Sequence, residues 1–316
     1  MKSTLETHMP NRRQFLLAGA ALAAAATISR SDAMADMKSE KIVSANGVTI
    51  ATEAFGDPAA PPVLLIMGAM ASMLWWPDAF CRKLAASGRY VIRYDNRDTG
   101  LSTKYAPGNP PYSMDDMAGD AVAVLDAYGI AAANIVGMSL GGMIAQIVAL
   151  SAPKRVSSLT LVSTTPIGLG LELPPISAAY MEHAASAENL DWSDRAQVID
   201  FMTRDARMIA STARAHDPDR IRAFIERDYD RSGGLLSATN HFMLQGGDSV
   251  KGKLKSLETP LLVIHGTTDP IFSVEHGMAI AAAVAGSEFL AIPGGGHELH
   301  GNDWGIILAA ITRHTT

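Results

Sequence analysis

The sequence predicts an α/β chain built on a mostly parallel, doubly wound sheet, with a helical segment inserted between two of its strands. Three observations carry that expectation. From residue 42 onward, short apolar runs rich in Val and Ile alternate with segments of helical period, the pattern of successive strand–helix–strand units. Between about 168 and 255 the strand-like runs stop and charged, helix-period segments take over. The chain of 316 residues is 48% hydrophobic and 18% charged, which is long and apolar enough for one large core and excludes a disordered chain.

The first 35 residues stand apart. Asn11-Arg12-Arg13-Gln14-Phe15-Leu16-Leu17 leads into an alanine-rich apolar stretch ending near Ile28, followed by Arg30 and the small-residue site Ala33-Met34-Ala35. A basic segment, a short apolar segment and A-x-A are the three parts of a secretory signal. The paired arginines resemble a twin-arginine export signal, with Asn11 and Leu17 where the usual form has Ser or Thr and Lys. The apolar stretch is shorter than the roughly 20 residues a helix needs to cross a bilayer. Residues 1–35 are therefore expected to be an export signal, with Ala33-Met34-Ala35 as its candidate cleavage site, that sends domain 36–316 to the periplasm or outside, with no stable membrane insertion once it is removed. Removing it takes the net charge from −6 to −8, because four basic and two acidic residues leave. An acidic chain lacks the basic face of a nucleic-acid binder. The single cysteine, Cys81, permits neither an internal disulfide nor a Cys-based zinc site.

Along the domain, residues 48–53 alternate and are expected as an edge strand. Residues 63–67 and 90–94 are continuous runs typical of strands buried on both faces, the second carrying Arg93. Residues 114–128 read as a helix with Met114, Met117, Ala121, Val124 and Leu125 on one face. A strand at 134–137, a helix at 140–152 and a strand at 158–163 follow. After the insertion come a strand at 261–265, a helix at 274–284, a strand at 288–292 and a last helix near 306–312. Within the insertion, 179–187, 193–212 and 217–228 read as helices, broken by Gly233-Gly234 and Gly246-Gly247. The insertion, about 168–255, is expected to form a lid.

Gly137-Met138-Ser139-Leu140-Gly141-Gly142 follows an apolar strand and precedes a helix, the context of a G-x-S-x-G nucleophile elbow. Glycines flank such a serine because its strained turn brings neighbouring backbone close. A serine nucleophile needs a base and a carboxylate to orient that base. Asp269 lies on the loop after the 261–265 strand and His297 on the loop after the 288–292 strand, both at strand carboxyl ends, where open α/β sheets place their ligands. The loop Thr164-Thr165-Pro166 holds no carboxylate that competes with Asp269. Of the other histidines, His265 reads as packed at a strand end, His300 as leading into the last helix, and His183, His216, His276 and His314 as solvated helix surface. His241 is a candidate substrate contact. Two backbone N–H groups should form the oxyanion hole, from Leu140 after the nucleophile and from Ala69 in the turn Gly68-Ala69-Met70.

The elbow, the order Ser139, Asp269, His297 and the lid together resemble the α/β-hydrolase fold superfamily, over roughly residues 42–313. Tyr94-Asp95-Asn96-Arg97-Asp98-Thr99-Gly100-Leu101-Ser102 and Trp76-Pro77-Asp78 are similar to segments of a branch that includes aclacinomycin methylesterase-like serine hydrolases. Met67-Gly68 stands where much of the superfamily has His-Gly, as in that branch. The Asp95–Asp98 segment, with the triad already complete, reads as a hydrogen-bonded turn bracing the site floor. The resemblance implies a carboxylic ester hydrolase acting through an acyl-enzyme, with no metal or cofactor and a methyl or short-alkyl ester of a bulky apolar acid as substrate. Trp75, Trp76, Met70 and Met138 near the same loops suggest an apolar, adaptable pocket. Three alternatives use the same constellation: a cofactor-free haloperoxidase or perhydrolase, a carbon–carbon bond hydrolase, and a ligand-binding receptor of slow turnover.

Overall fold

A computed structural model describes residues 40–315; the expected signal, residues 1–35, and its expected cleavage site lie outside them. The strands are β1 (Glu40–Ala45), β2 (Val48–Phe55), β3 (Pro62–Ile66), β4 (Tyr90–Tyr94), β5 (Ala133–Met138), β6 (Val156–Val162), β7 (Leu261–Gly266) and β8 (Glu288–Ile292). They form one eight-stranded sheet in the order β1-β2-β4-β3-β5-β6-β7-β8. Pairing is antiparallel from β1 through β2 to β4 and parallel across the rest. The sheet is mostly parallel and wound on both faces, as the sequence predicts.

Two layers of helices explain the continuous apolar runs. Leu64 and Ile66 of β3 face a core shared with α2 (Met114–Ala127), α3 (Leu140–Ser151) and α7 (Val274–Ala283), where Met117, Val124, Ile144, Val148 and Ile280 are buried. Val63 and Leu65, one residue out of phase, face the opposite core with α1 (Asp78–Ala86) and α8 (Trp304–His314), where Phe80, Leu84, Ile307 and Ile311 are buried. A strand apolar on both faces has to read as an unbroken run.

The sequence expectation differs from the fold at the antiparallel end. Residues 48–53 belong to β2, which lies between β1 and β4 and is not an edge; the edge is β1. β1 carries Glu40, Lys41 and an exposed Ile42, so it shows no apolar run. Its signal is Asn46-Gly47, both at positive φ (49° and 78°), the pair that a two-residue hairpin turn requires. Helix α1 also had no sequence expectation, because only Phe80, Cys81 and Leu84 are buried on its short face.

Between β6 and β7 the chain forms α4 (Ala178–Ala185), α5 (Arg195–Ile209), α6 (Pro218–Ser232) and several short 3-10 turns. Asp194 caps α5 by accepting the Ala196 and Gln197 N–H groups, and Asp217 caps α6 by accepting that of Arg220. α6 runs to Ser232, four residues beyond the expected boundary, and Gly233 ends it in the left-handed region at φ 65°. Val198, Ile199, Phe201, Met202, Ile225 and Leu235 give this insertion a core of its own. Among the described residues no helix is long and apolar enough to cross a membrane.

Candidate active site

Ser139 joins β5 to α3 at φ 54° and ψ −122°, a region non-glycine residues avoid, at a cost of about 1–3 kcal/mol. The surroundings enforce it. The Ser139 N–H donates to the Val162 carbonyl at 3.0 Å, and its own carbonyl accepts the Gly142 N–H at 2.9 Å and the Thr164 hydroxyl at 2.6 Å. A Cβ at Gly137 would lie 2.3 Å from the Gly141 carbonyl oxygen, and one at Gly141 would lie 2.2 Å from that of Ile66. Only glycine lets α3 approach β3 so closely, and the approach leaves the Ser139 side chain partly accessible.

Asp269 leaves β7 on a turn that its own carboxylate organises. Oδ1 accepts the Ile271 and Phe272 N–H groups at 2.9 Å each, and Oδ2 accepts from His297 Nδ1 at 2.7 Å. His265 Nε2 lies 3.5 Å from the same Oδ2 while donating to the Phe272 carbonyl at 2.7 Å. Burial alone would raise the Asp269 pKa; the two imidazoles and their hydrogen bonds outweigh it and hold the carboxyl below the usual carboxylate range. An ionised Asp269 fixes the proton of His297 on Nδ1, which leaves Nε2 as the basic nitrogen. Ser139, Asp269 and His297 thus stand at the carboxyl ends of β5, β7 and β8, all in the parallel part of the sheet.

The insertion grips the histidine loop. His297 N–H donates to the Ile209 carbonyl at 2.7 Å, and Ser211 N–H donates to Glu298 Oε1 at 2.7 Å. The Ser211 hydroxyl donates to the Gly294 carbonyl, and Arg214 pairs with Asp303 at 2.7 Å while donating to the Pro293 carbonyl at 2.8 Å.

The turn after β3 adjoins Ser139. A Cβ at Gly68 would sit 3.0 Å from Ser139 Cβ and 3.5 Å from its Oγ. Asn96 Nδ2 holds the preceding Met67 carbonyl at 2.9 Å. Ala69 is half-buried on this turn, Met70 takes a left-handed φ of 60°, and Leu140 heads α3, so its N–H has no partner within the helix. Asp95 accepts the Met73 and Leu101 N–H groups and Arg231; Asp98 accepts the Tyr105 N–H, Tyr112 hydroxyl and Asn240 amide. Both carboxylates are engaged in bracing the floor.

Of the expected pocket residues, Met70 and Trp75 are half-buried and pack against the insertion's core, while Met138 is buried on β5. Trp76 is not a pocket residue. It is fully buried, 5.8 Å from the Phe80 ring, because it turns into the α1–α8 layer. His241 is not free to meet substrate either: it is buried, with Nδ1 accepting the Met70 N–H at 3.1 Å and Nε2 donating to the Arg97 carbonyl at 2.7 Å. Two histidines expected on solvated surface are packed instead. His276 bonds Thr165 Oγ1 and the Pro174 carbonyl, and His183 stacks on Phe201 with ring centroids 4.6 Å apart. Sequence reasoning missed Asp228, a buried carboxylate on α6 that accepts from Ser72 Oγ at 2.5 Å and Trp75 Nε1 at 2.9 Å. Its signal was a carboxylate three positions after Ile225, on the helix's apolar stripe.

Residues 61–303 match the family model described as the alpha/beta hydrolase fold, more than half the chain. The chain belongs to the α/β-hydrolase family. Residues 9–29 match the model of the twin-arginine translocation signal, so this hydrolase carries an export signal of that pathway. Among curated relatives, it is 31% identical over 291 residues to rhodomycin D methylesterase DauP of Streptomyces sp. strain C5, covering 87% of this chain and 97% of that one. It is 30% identical over 291 residues to rhodomycin D methylesterase DnrP of Streptomyces peucetius, with the same coverage. Among solved structures, esterase RhEst1 from Rhodococcus sp. ECU1013 superposes with a TM-score of 0.70 at 23% identity, covering 88% of this chain and 98% of that one, a likeness of fold.

Proposed function

We propose that this protein is an exported serine esterase in which Ser139 is the nucleophile, His297 the general base and Asp269 the residue that orients it. The observation that carries the reading is the strained Ser139 turn at the carboxyl edge of the sheet, in one parallel set of strands with the hydrogen-bonded His297–Asp269 pair. Ser139 Oγ attacks the ester carbonyl while His297 Nε2 takes its proton. The oxyanion accepts the Leu140 and Ala69 N–H groups, each donor being worth about 2.7–4 kcal/mol. Collapse breaks the carbon–oxygen bond, His297 returns the proton to the departing alcohol, and water repeats the cycle on the acyl-enzyme.

The insertion, residues 168–255, serves as the lid and shapes the acid side of the pocket through Met70, Trp75 and the apolar residues they touch. That lining suits a bulky apolar acid. The methylesterase names of two relatives suit a methyl or short-alkyl leaving group. A panel of p-nitrophenyl and methyl esters of increasing acyl size, with fluorophosphonate labelling, tests the reading. Label on Ser139 and a loss of turnover by several orders of magnitude in Ser139→Ala are expected. Turnover of a vinylogous diketone with none of esters would make it a carbon–carbon bond hydrolase. Halide- and acetate-dependent bromination would make it a perhydrolase, and labelling with tight ligand binding but negligible turnover would make it a receptor.

A further inference from the structure

The turn that offers the second oxyanion donor is an unfavourable piece of backbone. Met70 follows Ala69 and holds φ 60° without being glycine, a conformation that persists only where neighbours over-determine it. The Met70 N–H is taken up by His241 Nδ1 at 3.1 Å. His241 comes from the insertion, 171 residues further along the chain, on the short turn Ser237–Met243. Its other nitrogen meets the Arg97 carbonyl at 2.7 Å, on the segment that follows β4. An amide N–H can only donate and a carbonyl can only accept. The imidazole must therefore be neutral, with its proton on Nε2 and its lone pair on Nδ1. Asn240 beside it ties the same turn down, through Asp98 at 2.9 Å and the Ala106 carbonyl at 3.1 Å. The ring thus bridges the oxyanion turn to the floor segment and cannot rotate without breaking both bonds.

We propose that His241 is a positioning residue for the oxyanion hole: its neutral Nδ1 holds the Met70 N–H, and thereby aims the Ala69 N–H at the developing oxyanion. The inference rests on the serine-esterase reading above. It adds that the insertion, besides covering the site, sets the geometry of transition-state stabilisation. Losing one oxyanion donor generally lowers kcat about 10²–10³-fold, and a misplacement of about 1 Å costs about 10²-fold. A turn that loses its brace but keeps its donor should lie at or below the lower of these.

The test compares His241→Phe with His241→Asn in the mature protein, whose side-chain oxygen can replace Nδ1 as acceptor. Turnover is counted per active site titrated with fluorophosphonate. His241→Phe is expected to lower kcat about 10–100-fold with KM within about threefold, and to weaken binding of an aryl boronic acid by the same factor. His241→Asn should recover most of both. A merely structural role would lower the melting temperature and the titratable fraction but leave kcat per titrated site and boronate affinity unchanged, and that result overturns the proposal. Imidazole ¹⁵N spectra of the wild type give an answer that needs no folded variant. A neutral ring protonated on Nε2 is expected, and a ring protonated on Nδ1 or on both nitrogens at pH 7 overturns the proposal. If the wild type neither takes up the fluorophosphonate nor turns over esters, the esterase reading fails instead, whatever the spectra say about the ring.

Discussion

Replacing Gly141 by alanine puts a methyl group 2.2 Å from the Ile66 carbonyl oxygen and 2.7 Å from that of Met67. An ordinary carbon–oxygen contact is about 3.3–3.6 Å, so α3 and β3 must separate by roughly 1 Å. Both partners are backbone, paired in a helix and in the centre of a sheet, and no side chain can swing aside. Overpacking of this kind costs about 1–3 kcal/mol, here toward the upper end. At about 2–4 °C per kcal/mol for a domain of this class, the melting temperature should fall by about 6–12 °C. The same displacement moves Ser139 and Leu140, which flank the joint, so turnover per folded molecule should fall about 10²-fold. Differential scanning fluorimetry and p-nitrophenyl ester hydrolysis, normalised by active-site titration, measure both. Gly305→Ala is the control: it lies in α8 with nothing within 4 Å of the added methyl and should not lower the melting temperature. If Gly141→Ala melts within 1 °C of wild type and turns over within about twofold, the steric account of the elbow is wrong.

Asp269→Asn should lower kcat about 10⁴-fold, since the amide no longer fixes the His297 tautomer. Because the folded-state pKa of Asp269 is depressed, its stabilisation is present above the ordinary carboxylate range near pH 4 and lost as pH falls further; urea melts of wild type and variant should converge only in acid. His241 is also depressed, chiefly by burial. Its contribution is present above about pH 6.5 and shrinks as pH falls, so His241→Asn should lose less stability than wild type between pH 6.5 and 5 by the same melts. Arg93, itself 1% exposed, donates to Glu53, Asp78 and the Trp76 carbonyl. Arg93→Met should cost about 3–5 kcal/mol in urea unfolding, because it removes the cation facing buried Glu53.

The central strands were legible because β3, β4, β5 and β7 lie between two helix layers and leave largely apolar runs, interrupted at Arg93 in β4 and Asn134 in β5. The order Ser139, Asp269, His297 was legible because each falls on the loop after its own parallel strand. β1 was missed because an edge strand with charged residues has no run to read. The burial of Trp76, the engagement of His241 and the pairing of Asp228 were missed for a different reason: they depend on which way a side chain turns and on partners far along the chain. Ser72 and Trp75 are 156 and 153 residues from Asp228, and no local period encodes such a contact.

The stitching of residues 209–216 to the loop that carries His297 has a consequence for recombination. An insertion between two strands invites wholesale exchange, as a module that could be cut at its ends and replaced to change what the site admits. Here Ile209, Ser211 and Arg214 are as much a part of the mounting of His297 as Gly294 and Glu298. A chimera spliced at the sheet would receive a foreign mounting for its own histidine. The interchangeable unit is smaller than the insertion: the helices on either side of that stitch can be traded, while the stitch must be inherited with the sheet.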